Sequence, residues 1–326
     1  MTAADVGSLN TFTTQTWEAE VESGPIIMLT KFSARLAALA AVVLASIAIA
    51  WIPAYRFFWF AYRTGDESYI LLVPLICAGL IYLDQKRVFA AAKAGMNPWA
   101  ASCMAAGAVA IVVAYLTGGD LQLMATAFGL GALWASGFLA LFGVSAGRAA
   151  MFPLLMLLWM VPIPSPVLDA IIVALQKGSA DLTEMLFHAV NVPVLRNGMI
   201  FELPGVSIEV AKECSGIRST LSLVLLMMIV VHESLESNWR RLFVMLLTIP
   251  IVVVKNGVRI VTLTLLSMYV DPSFLHGDLH NRGGIVFFLL GLAILLPLVG
   301  LLRRGELRKG RGGVPPATAA ASATET

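Results

Sequence analysis

Most charged residues in this chain fall in gaps between apolar runs. Several of those runs reach about 20 residues, the length a helix needs to cross the hydrocarbon core of a bilayer. The bulk composition agrees: 59% of residues are hydrophobic and 13% charged, against roughly 25% charged in soluble domains. The expected fold is an all-α polytopic membrane protein of about eight transmembrane helices, with a small extracytoplasmic amphipathic helix and a β-hairpin. No separate water-soluble domain fits in 326 residues once the spans are placed. The lipid bilayer is the partner such runs require, and a net charge of +2 points to no nucleic-acid partner.

In order, spans are expected near 34–53, 69–83, 98–117, 121–143, 149–161, 214–231, 242–270 and 284–302. A short loop carrying Arg56, Arg63, Asp66 and Glu67 follows the first. Pro162, Pro164 and Pro166 stop the fifth, because alternate prolines remove donors and push their predecessors out of the helical region. Residues 167–190 resume helical periodicity but carry Asp169, Gln176, Lys177, Asp181, Glu184 and His188, the pattern of an amphipathic helix at a membrane surface. Met199–Leu203 and Val206–Val210 flank Pro204-Gly205, which suits the central positions of a type II turn, so a hairpin is predicted there. Residues 1–30 and 305–326 are expected as disordered cytoplasmic tails around a membrane domain of 31–304.

Orientation follows from the positive-inside rule. With both termini inside, 13 of the 22 Lys and Arg residues fall on cytoplasmic loops and flanks: Lys31, Arg35, Lys86, Arg87, Lys93, Arg148, Arg240, Arg241 and the five basic residues from Arg303 to Arg311. The same count puts residues 162–213, the outer half of span seven and the 271–283 loop outside. It thereby brings Cys214, Arg259 and His280 to one face.

Those three residues are the candidates for chemistry. Cys214 stands where the polar stretch 197–212 meets the apolar run 220–231. On a continuous helix Arg218, four residues on, would share its face, and a helix N-terminus with a nearby guanidinium favours a thiolate. A small apolar residue at a helix end is the other reading of Cys214. Cys77 and Cys103 lie in apolar runs and read as packing residues, so no structural disulfide is suggested. Arg259 is an ionisable residue inside a span, a functional candidate by default, with Asn256 three residues before it on the same face; the alternative is that it snorkels to the outer surface. His280, Gly284 and Phe288 repeat every four residues, so a histidine able to act as acid and base heads a stripe on which glycine permits close approach. His276 and His280 have a spacing metals use, without the other ligands of a metal motif, so neither a metal nor another cofactor is expected.

Three short motifs in order resemble the exosortase/archaeosortase family: Glu213-Cys214-Ser215-Gly216-Ile217-Arg218-Ser219, Asn256-Gly257-Val258-Arg259-Ile260, and His280-Asn281-Arg282-Gly283-Gly284-Ile285-Val286-Phe287-Phe288. Pro193–Gly198 and Leu203-Pro204-Gly205 are also family-like, and the similarity runs over about 50–300. The resemblance implies a cysteine transpeptidase of the bacterial inner membrane, with Cys214 as nucleophile, Arg259 as charge stabiliser and His280 as acid/base. Glu213, Arg218, Ser219, Asn256 and Gly284 come with the motifs as supporting residues. The implied substrates are exported proteins ending in a short Pro-containing motif, one transmembrane helix and a basic cluster, a signal of the PEP-CTERM kind. The chain departs from the family at Ser68-Tyr69-Ile70, where Ser-His-Gly is frequent, and the soluble C-terminal domain that some members carry is not expected here.

Three functions compete: a transpeptidase passing an acyl group to an acceptor, a protease using water, and a transporter or assembly scaffold without peptidase chemistry. Charges lining a solute path would spread across the bilayer depth, whereas the candidates here cluster near one face.

Overall fold

The computed structural model describes residues 32–90, 92–204, 206–210, 216–271 and 284–311. The expected N-terminal tail lies outside them. The chain forms two compact units that divide between Pro164 and Ser165, inside the proline run.

The first unit holds α1 (Phe32–Ile49), α2 (Trp51–Arg63), a 3-10 stretch (Gly65–Leu72), α3 (Val73–Leu83), α4 (Gln85–Phe89), α5 (Pro98–Leu116), α6 (Gly119–Ala149) and α7 (Met151–Met156). Arg56 and Arg63 were expected on a loop and instead belong to α2. That helix is amphipathic: Pro53, Ala54, Phe57 and Ala61 recur at helical spacing and are buried. Arg56 donates to Gln122 Oε1 on α6 at 3.1 Å, and Arg63 lies over the Trp59 ring, 4.7 Å from its centroid. α5 starts as its sequence dictates, with Asn97 accepting from Ala100 N at 3.0 Å and proline in the first turn. α7 and the 3-10 turn after it, Leu157–Met160, cover under about 20 Å, so the segment expected as span five does not cross a bilayer by itself.

The second unit holds α8 (Ser165–Ala189), β1 (Leu195–Asn197), β2 (Ile200–Leu203), β3 (Val206–Glu209), α9 (Ile217–Ser234), α10 (Asn238–Tyr269) and α11 (Gly284–Arg311). The predicted hairpin is present, with Leu203 paired to Val206 across the Pro204 turn, and β1 extends it to a three-stranded antiparallel sheet in the order β1-β2-β3. Alternation puts Phe201, Leu203 and Ile208 on one face of the sheet, and these pack with Ala180 and Phe187 of α8 and Ile260 and Val261 of α10. α8 is amphipathic as expected. Its buried stripe, Ile172, Leu175, Gln176, Ser179, Thr183 and Phe187, is where the helix meets the sheet and α10. α8 and α10 run in the same sense: a Cβ on Gly178 would lie 3.4 Å from Val253, and one on Gly257 would lie 2.9 Å from Leu182. At the opposite end, Glu306 accepts from the backbone N–H of Glu236 and Ser237 at 3.0 and 3.1 Å, and Arg240 donates to Leu302 O at 2.6 Å. These bonds explain why α11 continues to Arg311, carrying a basic cluster that was expected in a disordered tail.

Six described helices are long and apolar enough to cross a membrane: α1, α5, α6, α9, α10 and α11. The apolar Glu67–Leu83 stretch is shorter, and Met151–Met160 with Ser165–Ala189 forms a broken candidate. Six helices, or seven spans if the broken pair is counted as one, are roughly consistent with the expected eight.

Candidate functional site

The second unit fixes Val210, ahead of the cysteine motif, and Gly216 within it. On the upstream side, Val210 N donates to Met199 O at 2.9 Å, and Gln176 of α8 donates its amide to Val210 O at 2.8 Å. The sheet behind it is pinned by Arg196, which donates to Asp181 Oδ1 and Glu184 Oε2 of α8 at 2.8 Å each and covers the Phe201 ring. The Glu184 hydrogen bond first, and the Asp181 one second, raise the Arg196 pKa above its ordinary value. With Asp181 67% exposed, this pairing contributes about 0–1 kcal/mol and acts more on geometry than on stability.

On the downstream side, Gly216 caps α9 with φ +64° and is buried. Its carbonyl is the first acceptor of α9, taking Thr220 N, Thr220 Oγ1 and Ser219 Oγ, each at 2.9 Å. Only glycine suits this position, because a left-handed residue carrying a Cβ costs roughly 1–2 kcal/mol and that Cβ would stand 2.8 Å from Asn256 Oδ1. Gly216→Ala should accordingly lower thermal stability and reduce activity together, whereas Gly198→Ala, equally left-handed but with open space around it, should carry only the strain. Thermal unfolding of the two purified variants checks this; equal midpoints would show that the Asn256 contact does not constrain Gly216.

α9 thus begins at Ile217, not at the cysteine. The left-handed Gly216 directly precedes α9, and the shared helical face expected for Cys214 and Arg218 falls partly outside the described residues. Arg218 is exposed on the first turn of α9. Glu213, Cys214 and His280 lie outside the described residues, as does His276. Gly284 is the first residue of α11. Cys77 is buried in α3 and Cys103 half-buried on α5, consistent with packing. Tyr69 and Ile70 are buried in the first unit, with the Tyr69 ring edge-on to Trp159.

Across from the start of α9, α10 presents a polar stripe. Asn256 is 1% exposed and donates to Ser179 Oγ of α8 at 3.1 Å. Arg259 is 9% exposed; it is enclosed by protein and does not snorkel outward. Lys255, one turn before Arg259, is 1% exposed, and its ammonium donates to Ser219 Oγ at 2.5 Å. Its stem passes Gly291 of α11, where a Cβ would lie 3.7 Å from Lys255 Cδ. Lys255 is not among the candidates named from the sequence. The available signal was its spacing of four from Arg259, which puts both cations on one helix face. Burying an ammonium carries a penalty of several kcal/mol, and among the described residues no carboxylate pairs with it. The stripe therefore concentrates positive charge beside the backbone that leads out of the cysteine motif. No group of His, Cys, Asp and Glu able to hold a metal occurs among the described residues.

The family model described as Transmembrane exosortase (Exosortase_EpsH) matches residues 59–297. No curated protein and no solved structure matches the chain.

Proposed function

Since the chain belongs to the transmembrane exosortase family, we propose that it is a cysteine peptidase of the transpeptidase type, acting on exported proteins at the outer face of a bacterial inner membrane. The observation that carries this reading is the arrangement around residues 211–215. Val210, on one side, is bonded to Gln176 of α8, Gly216, on the other, lies close against Asn256 of α10, and the buried Arg259 and Lys255 belong to the same α10 stripe as Asn256. In the proposed reaction the Cys214 thiolate attacks the carbonyl carbon of a substrate peptide bond. The negative charge that develops on the carbonyl oxygen is stabilised by the Arg259 guanidinium. His280 protonates the departing amine, leaving an acyl-enzyme thioester. An acceptor amine or another nucleophile then attacks the thioester, gives up its proton to His280, and releases the thiolate. No cofactor enters these steps. With water as acceptor the same site is a protease. Lys255 and Arg259 are four residues, or about 6 Å of helix, apart. Such clustering of the buried cations supports a reaction centre over a transport path.

The test is co-expression with an exported protein that ends in a Pro-containing motif, one transmembrane helix and a basic cluster. The expected result is loss of that C-terminal segment, with the mass of the new C-terminus reporting the acceptor. In a separate cysteine-free background, a cysteine introduced at Ser165 should react with an impermeant thiol reagent and one at Ser237 should not. An intact substrate, or labelling at Ser237 in sealed cells, would contradict the proposal.

A further inference from the structure

The first unit contains an apolar groove that the proposed reaction does not use. It has a volume of about 640 Å³ and lies between α5, α6 and the α7 segment. Cys103 and Ala106 of α5, Ala127 and Ala135 of α6, and Leu154 and Leu158 form much of its wall. Polar groups gather at one end, where Ser102, Trp99 and Arg148 line it. The Ser102 hydroxyl donates to Pro98 O at 2.8 Å and is satisfied. Arg148 is exposed, and no carboxylate among the described residues pairs with it. We propose that this groove binds one phospholipid of the surrounding bilayer, with an acyl chain laid along α6 and an anionic headgroup on Arg148.

The backbone places the arginine at the groove's end. Asn97 donates to Leu139 O at 3.0 Å and Ser136 donates to Ala100 O at 2.8 Å, so the start of α5 lies level with residues 136–139 of α6. α6 is then broken at Gly143, where φ is +84° and the missing Cβ leaves room for Lys93 O. In a continuous helix positions 139 and 147 would stand about 12 Å apart; here a Cβ on Gly147 would strike the Leu139 side chain. The break thus folds Arg148 back toward the level of Trp99, which is 65% exposed. Tryptophan and a cation at one level are what a headgroup boundary selects, and basic pockets between membrane helices bind anionic headgroups. A guanidinium can donate two parallel bonds to a phosphate, and an anionic headgroup, unlike a zwitterionic one, brings no cation of its own to the arginine. Size also selects the occupant. From Ala127 to Leu139 the groove follows about 18 Å of helix, close to the ~15 Å of one leaflet of a ~30 Å hydrocarbon core. A partner helix about 10 Å across would fill 640 Å³ in roughly 8 Å of its length, so the space fits a hydrocarbon chain and not another span.

The test uses the full chain in neutral detergent, stripped of lipid and titrated with dioleoyl phosphatidylglycerol or dioleoyl phosphatidylcholine, with bound lipid counted by native mass spectrometry. The parent should retain one phosphatidylglycerol, about tenfold more tightly than phosphatidylcholine. Arg148→Gln should lower phosphatidylglycerol affinity about tenfold, to the level of phosphatidylcholine. Ala106→Phe adds bulk to the groove from an exposed position on α5 and should weaken both lipids. Arg308→Gln, at an exposed arginine of α11 outside the groove, should change neither. Thermal unfolding without lipid should be parental in all three variants. Equal retention of the two lipids by the parent, parental retention in Arg148→Gln or in a folded Ala106→Phe, or a loss in Arg308→Gln as large as that in Arg148→Gln would each overturn the proposal. Should Ala106→Phe fail to fold, Arg148→Gln decides alone, because an exposed arginine belongs to no core.

Discussion

Cys214→Ala should abolish substrate processing, and Cys214→Ser should nearly do so. In the proposed reaction a thiolate is the attacking species, and a hydroxyl requires a stronger base than a histidine matched to a thiol. Neither substitution changes side-chain volume enough to disturb packing, so both proteins should accumulate and insert normally. Cys77→Ala and Cys103→Ala should retain activity, since one is buried in α3 and the other half-buried on α5. His280→Ala should slow the steps in which a proton reaches the leaving amine or departs from the acceptor. The measurement is the fraction of uncleaved substrate in cells expressing each variant at equal level. Processing by Cys214→Ala would remove the cysteine from the reaction and return the chain to the transporter or scaffold reading.

Arg259 carries the second large effect. Its guanidinium is enclosed by the second unit, and Asn256 on the same face is tied to Ser179 of α8, so the helix face that presents it is rigid. A planar fork that donates to an oxyanion cannot be copied by a lysine. Loss of one such donor costs about 10²–10³ in rate. Arg259→Lys and Arg259→Ala should therefore both lose two to three orders of magnitude of processing while leaving expression intact. Initial rates with purified substrate measure this directly. Near-parental rates for Arg259→Lys would reduce the residue to a structural cation.

How much of this was legible before the fold was known depends on the range of each interaction. The hairpin follows from Pro204 and the alternation on each side of it, all local, and β2 pairs with β3 as read. β1 was missed because three residues, Leu195–Asn197, carry no periodicity of their own; they become a strand only because Arg196 is drawn onto α8 by Asp181 and Glu184. The stripe on α8 was visible in its 3.6-residue period, but not that its polar members face α10. That depends on Gly257 letting Leu182 approach closely. The start of α9 was placed at Cys214, three residues early. A glycine ahead of an apolar run does not announce a left-handed φ, and here Asn256 on a helix forty residues away occupies the space a Cβ would need. Lys255 was missed for a related reason. Lysine near a helix interruption ordinarily snorkels to water, and only Gly291 on α11 and Ser219 on α9 make its burial possible. Arg259, by contrast, was identified from its place in an apolar run alone, and the fold adds that it is enclosed and not snorkelling.

The central claim, that Cys214 forms a covalent acyl-enzyme on this scaffold, is tested most directly by mass analysis of the protein trapped with substrate. Acid quenching during turnover, followed by digestion and mass spectrometry, should reveal the peptide containing Cys214 joined to the substrate fragment that ends at the cleavage site. Hydroxylamine should release the adduct, as it does a thioester, and Cys214→Ala should form none. Substrate conversion with no adduct on Cys214, or an adduct that persists in Cys214→Ala, would contradict the account.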